Sequence, residues 1–368
     1  MRKLAALWVL VAPPAAAQSI DRFEMRAALF EQFGHGFQSR AGPPAGPGSE
    51  RTTIWEPMFR LVITDGRWTH DASLSVDVVS AASPDALDAI STASAVNEAA
   101  TLDVTTTYAA GSDDRVSVRY GGHVEEPYRS GFLGVGWAHD LADKNATVSL
   151  TALGMVDSFD DIDYYGKRHG ETSRGAMSLN ASASQILGPT TLVDASYGLT
   201  YQRGTLENTW NSVPVVRDER GPEIFPGPRL RHALLGRISQ HIPDTRSTLK
   251  ASYRFYGDNY GLIAHTAEVT AYQYLVPWLY LRGSYRYYWQ NGVSFYGEMF
   301  EPGTTPRTAD SDLAPFHANE LGAKLVMLAE RSPVEWLRRS AIDASFFRYW
   351  RSNDLVVSMF VLSFGMRF

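Results

Sequence analysis

The carboxyl-terminal stretch LVVSMFVLSFGMRF, residues 355–368, alternates between two kinds of side chain and decides the fold. Successive residues of a β-strand point to opposite faces, so residues of even and odd number fall on different walls. The even-numbered wall is apolar except for Ser358, whereas the odd-numbered wall mixes apolar residues with Ser363, Gly365 and Arg367. The final strand is therefore predicted to face two different environments.

A terminal amphipathic strand that ends in phenylalanine resembles the assembly signal of bacterial outer-membrane β-barrels. We assign this signal to Phe364, Met366 and Phe368. It predicts that the apolar wall faces lipid, that the other wall faces a wet interior, and that the barrel-assembly machinery inserts the chain.

The amino terminus predicts export. Arg2 and Lys3 precede an apolar run from Leu4 to Ala12, and Ala15 to Ala17 form an A-x-A cleavage site. The apolar run is about half of the roughly 20 residues that a membrane-spanning helix needs, although a retained anchor helix is the alternative. We predict a cleaved signal peptide over residues 1–17 and one barrel domain over 18–368.

Composition excludes several classes of protein. The chain has no cysteine, which rules out disulfides, thiolate metal sites and thiol catalysis. Its net charge is −6, and loss of Arg2 and Lys3 with the signal peptide makes it −8. This acidic balance argues against nucleic acid as a partner. Length alone would permit two soluble domains, but no linker or change of composition separates them.

Alternating segments of roughly ten residues recur along the whole exported chain, as in a transmembrane β-barrel. Their number is sixteen, and an even number places both chain ends on one side of an all-β, antiparallel up-and-down barrel. The predicted strands are 20–30, 52–64, 68–79, 99–108, 115–125, 131–141, 146–157, 175–186, 191–202, 230–241, 247–256, 262–274, 279–289, 316–328, 336–350 and 355–368.

Short connections rich in turn-forming residues alternate with connections that include five long ones. This asymmetry is expected of an outer-membrane barrel, with short periplasmic turns and long external loops. A soluble β-sandwich also alternates and is the competing interpretation. The five long connections are 31–51, 80–98, 158–174, 203–229 and 290–315.

Charged side chains fall on the predicted inward face of three neighbouring strands, at Lys250, Arg254, Glu268, Arg282 and Arg286. An Arg or Lys that faced lipid at mid-depth would cost about 2–4 kcal/mol, so such sorting is necessary in a membrane. The cluster either forms the transverse field of a selective pore or pairs across strands to brace the wall. Its surplus of arginine favours anionic solutes.

Sixteen strands leave an aqueous channel instead of a filled core. Loops 203–229 and 290–315 are nevertheless long enough to fold inward and occlude it.

An acidic segment around the predicted loop 158–174 holds Asp157, Asp160, Asp161 and Asp163. Carboxylates supply the oxygen ligands that Ca²⁺ prefers, but EF-hand spacing is absent. Bridging of lipopolysaccharide through divalent cations and simple solvation of the loop are the alternatives. Calcium is the one cofactor that the sequence suggests.

Catalytic motifs are absent from the sequence. The nine histidines are scattered, and neither a nucleophile elbow nor an HExxH motif occurs. We predict that the protein is not an enzyme. A Ser–His site assembled across distant strands, as in a barrel hydrolase, is the alternative.

Five motifs together resemble a bacterial outer-membrane family known as domain of unknown function three-five-seven-zero. They are Val76 to Ala86, Arg231-His232-Ala233-Leu234, Pro243-Asp244-Thr245, Tyr253-Arg254-Phe255-Tyr256 with Asp258, and His265-Thr266 with Glu268. The first motif departs from the family at Ala81-Ala82, where Gly-Ala is expected. The resemblance spans most of the exported chain and implies a barrel linked to systems with a flavin-transferase and small secreted redox proteins.

Three functions follow from these observations. The first is a porin-like channel for small solutes in the outer membrane of a Gram-negative bacterium, or a membrane-embedded partner of a secreted assembly. The second is a scaffold for extracellular electron transfer, with secreted redox proteins as partners. The third is a hydrolase. Outer-membrane lipids and lipopolysaccharide are expected partners in each case, and nucleic acid is not.

Deletion of Phe368 is expected to lower the amount of protein in the outer membrane, because the assembly signal loses its terminal aromatic ring. Immunoblots of outer-membrane fractions measure this amount. Phe368→Tyr keeps an aromatic ring and serves as the control with near-normal levels. Normal levels of the truncated chain would contradict the assignment.

Overall fold

Sixteen antiparallel strands close into one barrel in the computed structural model of this chain. The structure describes residues 18–34, 52–81, 97–209, 211–216 and 219–368. Each barrel strand pairs with its neighbour in the chain, except that β9 (Thr191–Gly204) pairs with β12 (Arg229–Ile242) across a long connection. The first and last strands pair from Arg22 opposite Arg367 to Gly34 opposite Leu355, which completes the circle. The predicted fold class and strand number are confirmed.

The barrel strands carry the following bounds: β1 Gln18–Gly34, β2 Thr52–Asp65, β3 Trp68–Ala81, β4 Asn97–Ala109, β5 Asp114–Glu125, β6 Tyr128–Leu141, β7 Ala146–Ile162, β8 Arg168–Gly188, β9 Thr191–Gly204, β12 Arg229–Ile242, β13 Ser247–Asp258, β14 Ile263–Val276, β15 Leu279–Gln290, β16 Phe316–Leu328, β17 Ser340–Arg351 and β18 Leu355–Arg367. A small hairpin of β10 Ser212–Val215 and β11 Glu219–Pro222 interrupts the series.

Several predicted strand boundaries are wrong, including the end of the first strand, which extends to Gly34. The loop expected at 158–174 is mostly strand, because β7 and β8 continue their pairing up to Ile162 opposite Arg168. Inward-facing Asp157 and Arg174 oppose each other there and form an ion pair, so charge stabilises strand where the sequence suggested a loop. The strand expected from residue 336 begins at Ser340, since Glu335–Arg339 forms a 3₁₀ turn.

The outward face of the barrel is apolar, as the alternation predicts. Leu133 of β6 is 63% exposed and Leu362 of β18 is 64% exposed. An apolar exterior of this kind is compatible with hydrocarbon and unusual for a soluble monomer. The even-numbered wall of the last strand therefore points outward.

The predicted signal peptide at residues 1–17 lies outside the described residues. Within the part of the chain that the structure describes, no helix has the length and apolar character needed to cross a membrane.

The two longest connections fold together into a cap at one end of the barrel, which we call the long-loop end. The cap comprises the described residues of 205–228 together with 291–315. Ile224 and Arg307 exchange backbone hydrogen bonds of 3.0 and 2.8 Å, which joins the two loops. Val213 and Thr308 are fully buried at their interface. Burial of one such apolar side chain stabilises by about 1.5–3 kcal/mol, so the cap has a core of its own.

The cap packs against the inner wall of the barrel. A hydrophobic cluster contains Phe295 and Leu313 of the cap and the neighbouring turn residue Tyr260. The inward-facing residues Ala264 of β14 and Tyr288 of β15 contact the same cluster. The two loops therefore fold into the lumen mouth along β12 to β17.

The cap buries two carboxyl groups close to each other. Thr308 Oγ1 donates a 2.6 Å hydrogen bond to Glu223 Oε1, and Glu223 is almost fully buried. Burial raises the pKa of Glu223 to about 7, and the nearby Asp310 carboxylate adds to the rise. Burial likewise raises the pKa of Asp310. Both groups therefore hold a proton more readily inside the folded cap than in water.

Leu179→Arg is expected to lower the free energy of unfolding by about 2–4 kcal/mol, because Leu179 lies outward near the middle of β8. Urea unfolding in lipid vesicles measures the change. Asn180→Arg is the matched control, since Asn180 points into the lumen opposite Gly198 and an arginine there reaches water. Equal losses for the two variants would contradict the assignment of faces.

The free energy of opening the cap is expected to depend on pH through Glu223. Its pKa in the folded cap lies above the ordinary 4.5, so its stabilising contribution is complete below pH 4.5 and is lost as pH rises through about 7. The total loss is about 3 kcal/mol. Hydrogen exchange of the Thr308 and Ile224 amides at pH 4–8 measures it.

Glu223→Gln should remove the part of this pH dependence that Glu223 causes and leave the part caused by Asp310, whereas Glu219→Gln, at an exposed acid of the same cap, should leave the profile unchanged. Amide protection that rises between pH 4.5 and 7 in the unmodified protein would contradict the prediction.

Candidate functional site

The lumen wall carries charges of both signs, and on one half of the barrel they are paired. Arg60 of β2 donates to Asp71 of β3 at 2.8 and 2.6 Å. Arg119 of β5 donates to Asp103 of β4 at distances down to 2.5 Å. The other paired arginines of this half are Arg22 and Arg26 with Glu24, and Arg115 with Asp140. This half of the wall is nearly neutral.

The other half carries cations that form no ion pair with any described residue. We call them the basic stripe: Arg231 and Arg237 of β12, Lys250 and Arg254 of β13, and Arg282 of β15. Their depths differ, since Arg231 lies opposite Asp258 near the long-loop end and Lys250 lies opposite Ser239 toward the turn end. The stripe therefore runs along the length of the lumen.

Aromatic rings hold several members of the stripe in place. Lys250 Nζ lies 5.0 Å and Arg282 Cζ 5.8 Å from the centroid of the Tyr272 ring. Arg254 Cζ lies 6.0 Å from the centroid of Tyr256. The Nε atoms of Arg231 and Arg282 are buried and donate to no described acceptor. The stripe thus retains unused donors as well as uncompensated charge.

The five residues singled out from the sequence divide into two groups. Glu268 accepts a 2.9 Å hydrogen bond from Arg286, whose second nitrogen lies 3.3 Å from Glu320 of β16. These residues brace neighbouring strands. Lys250, Arg254 and Arg282 belong to the basic stripe instead, so each of the two interpretations of the cluster describes part of it.

Arg231 and Arg237 were missed at the sequence level. The signal was present, because both share the inward parity of the predicted strand 230–241. Arg351 was also missed, since it directly follows the predicted strand 336–350. Arg351 pairs with Asp312 of the cap, a contact between distant segments that no local pattern encodes.

The predicted acidic segment is spread over two strands and a short turn. Asp157 pairs with Arg174, Asp160 with Arg168, and Asp163 with His169. Asp161 lies opposite Gly170. The His169 hydrogen bond holds the pKa of Asp163 below its usual range. Among the described residues no group of three or more metal-ligating side chains is close enough to hold an ion, and calcium binding here stays a prediction.

The predicted assembly signal lies at the barrel seam. Phe364 pairs with Met25 of β1 and with Ile342 of β17, and Met366 pairs with Phe23 and Ser340. The Phe368 amide donates a 3.1 Å hydrogen bond to the Asp21 carbonyl, and its ring is exposed.

Histidines at the outer surface contact tyrosines. Tyr197 Oη lies 2.7 Å from His232 Nδ1, and Tyr253 Oη lies 2.6 Å from His265 Nδ1. The inward-facing His123 contacts Thr101 at 2.8 Å. Within the described ranges no hydrogen bond joins a serine hydroxyl to a histidine ring; the Ser352 hydroxyl accepts one from the backbone N–H of His317.

The barrel is similar in structure to several solved proteins. A bacterial polysaccharide outer membrane secretin aligns with a TM-score of 0.50 at 10% identity, covering 94% of this chain and 98% of that chain. OpdK of Pseudomonas aeruginosa, crystallised with vanillate, aligns with a TM-score of 0.46 at 11% identity over 94% and 98% of the two chains. A BenF-like porin from Pseudomonas fluorescens Pf-5 gives 0.47 at 10% identity over 95% and 99%. Sequence identities this low show a similarity of fold and nothing about function.

No curated protein matches the sequence. A family profile does match, over residues 154–333, which excludes the first of the five motifs at Val76 to Ala86 and includes the other four. The resemblance thus covers less of the chain than expected. Over residues 154–333, which include the stripe-bearing strands β12, β13 and β15, this chain matches the family described as protein of unknown function (DUF3570).

Proposed function

We propose that this protein is an outer-membrane, porin-like channel whose lumen favours small anions over cations. The basic stripe is the observation that carries the proposal. Five cations without ion pairs line one half of the wall, while the arginines of the other half are neutralised by carboxylates. Even with Asp194 opposite Arg237, the stripe-bearing side of the described wall carries a surplus of positive charge although the whole chain is acidic.

The placement of the stripe supports conduction as well as attraction. Charges on walls of low dielectric constant focus the potential into the water-filled space between them. Arg231 near the long-loop end, Arg237 and Arg254 farther in, and Lys250 with Arg282 toward the turn end offer successive weak sites to an anion. Several weak sites allow a solute to enter and to leave.

The outward surface supports a membrane location. Its apolar band suits hydrocarbon, and the short turns and long loops fit the periplasmic and external sides of an outer-membrane barrel. In this orientation the cap faces the outside and the outer leaflet lipopolysaccharide surrounds it. The outer-membrane type of barrel seen in the solved secretin supports the same location. Association with secreted redox proteins stays a prediction of the family resemblance.

Purified protein is expected to conduct in planar lipid bilayers, and a tenfold KCl gradient should give a reversal potential of the sign expected for chloride preference. Lys250→Gln with Arg282→Gln removes two cations of the stripe and should lower the ratio of chloride to potassium permeability several-fold. The reversal potential measures this ratio.

Lys144→Gln with Arg246→Gln removes the same charge from two exposed turns and is the matched control, expected to keep the selectivity. If the purified protein gave no conductance at any voltage, the proposed channel function would be contradicted. A higher permeability for potassium than for chloride would contradict the proposed anion selectivity.

A further inference from the structure

We infer that the lumen holds a specific binding site for a small organic anion, a carboxylate with an apolar body, between Arg237 and Arg254 beneath the cap. The site is a cavity of about 530 Å³. Strands β12 to β17 form its walls, and Asp312 of the cap lines it from the long-loop end. Its volume falls in the range of small-molecule sites. This inference rests on the proposed channel function and gives its solute a chemical class.

The charge inside the cavity is unbalanced. Four arginines line it, together with Glu268 and Asp312 as the acidic groups. Arg286 neutralises Glu268 at 2.8 Å, and Arg351 neutralises Asp312. Neither Arg237 nor Arg254 forms an ion pair with a described carboxylate, although Asp194 of β9 lies opposite Arg237 across the strands and offsets part of its charge.

The positions of Arg237 and Arg254 give this imbalance a definite location. Arg254 of β13 lies opposite Leu235, and Arg237 lies two residues farther along β12. Diagonal neighbours of this kind are about 7–8 Å apart, within reach of each other for long side chains. Two like charges so placed repel each other, and an anion bound between them turns the repulsion into two attractive contacts. Ser252, which faces Arg237 across the strands, adds a hydroxyl donor.

Besides the charged residues and the polar Thr266 and Gln290, the cavity has an apolar and aromatic part. Leu235, Tyr288, Phe316 and Tyr349 line it, and the Tyr288 and Phe316 ring centroids are 5.5 Å apart. A bare inorganic ion would leave this surface uncovered. A carboxylate with a short hydrocarbon or aromatic body fits both parts of the site.

The cap fixes the long-loop end of the site. Gln290 Nε2 donates to the carbonyl oxygens of Asp312 at 2.9 Å and of Ala314 at 2.5 Å. Arg351 binds the Asp312 side chain and stacks over the Phe316 ring, with Cζ 4.5 Å from the centroid. The site is therefore preformed on rigid strands and closed by a segment held in place by inward-facing residues.

Isothermal titration calorimetry of the full-length protein in detergent tests the inference. Hexanoate and phenylacetate should bind saturably, while hexanamide and phenylacetamide, which lack the charge, should not. Arg237→Gln with Arg254→Gln should weaken carboxylate binding at least about tenfold, which corresponds to about 1.4 kcal/mol. Circular dichroism verifies that the variant keeps its strand content.

Arg22→Gln with Arg26→Gln is the control for charge, because it removes two lumenal cations from the opposite half of the wall, outside the cavity, and should leave binding nearly unchanged. If both double variants weakened carboxylate binding equally, the binding would come from diffuse attraction to the charged lumen and not from a specific site. That result would overturn the inference. Binding of inorganic phosphate as tight as that of the carboxylates would also overturn it, since the apolar wall would then have no role.

The calorimetry needs no membrane, so its outcome is separate from conduction. If the protein conducts but binds no carboxylate, the proposed channel function stands and the inferred binding site is contradicted. If the protein binds carboxylate but does not conduct, the binding site stands and the proposed channel function is contradicted.

Discussion

Pairing of the first strand with the last is the constraint on which the rest of the structure depends. The β1–β18 ladder satisfies backbone groups that would otherwise form two open edges of the sheet. In hydrocarbon each unsatisfied backbone group costs several kcal/mol, so a sheet in a membrane must close on itself. Closure separates an outside from an inside, and every side chain of the strands then belongs to one or the other.

The sorting of charge follows from that separation. Most of the charged residues of the strands lie in the lumen, and there the two halves of the wall use charge differently. Cross-strand pairs such as Arg60–Asp71 hold neighbouring strands and leave little net potential. On β12, β13 and β15, fewer of the lumenal cations form ion pairs with carboxylates. Cation–π contacts, such as that of Lys250 with the Tyr272 ring, keep the side chains of these cations in defined positions. Paired charges that hold strands together and cations without ion pairs thus coexist in one barrel.

The fold could be predicted from the sequence because inside and outside alternate with a period of two. The same alternation placed Lys250, Arg254 and Arg282 in the lumen, and it also marks Arg231 and Arg237, which were overlooked. Alternation does not reveal partners across the lumen mouth. The contacts of Arg351 with Asp312 and of Glu223 with Thr308 join segments far apart in the chain, and the acidic ends of β7 and β8 resemble a loop until their pairing with Arg168 and Arg174 is known.

The difference between the two halves of the wall makes the lumen an electric dipole directed across its axis. A solute with a negatively charged head and an uncharged tail experiences a torque in such a field, so its head turns toward β12 and β13 and its tail toward β1 to β5. In the proposed channel, passage would then take place in one preferred orientation and off centre. The diameter that a solute must match is therefore set by its cross-section in that orientation, and two isomers of equal mass can differ in how fast they cross.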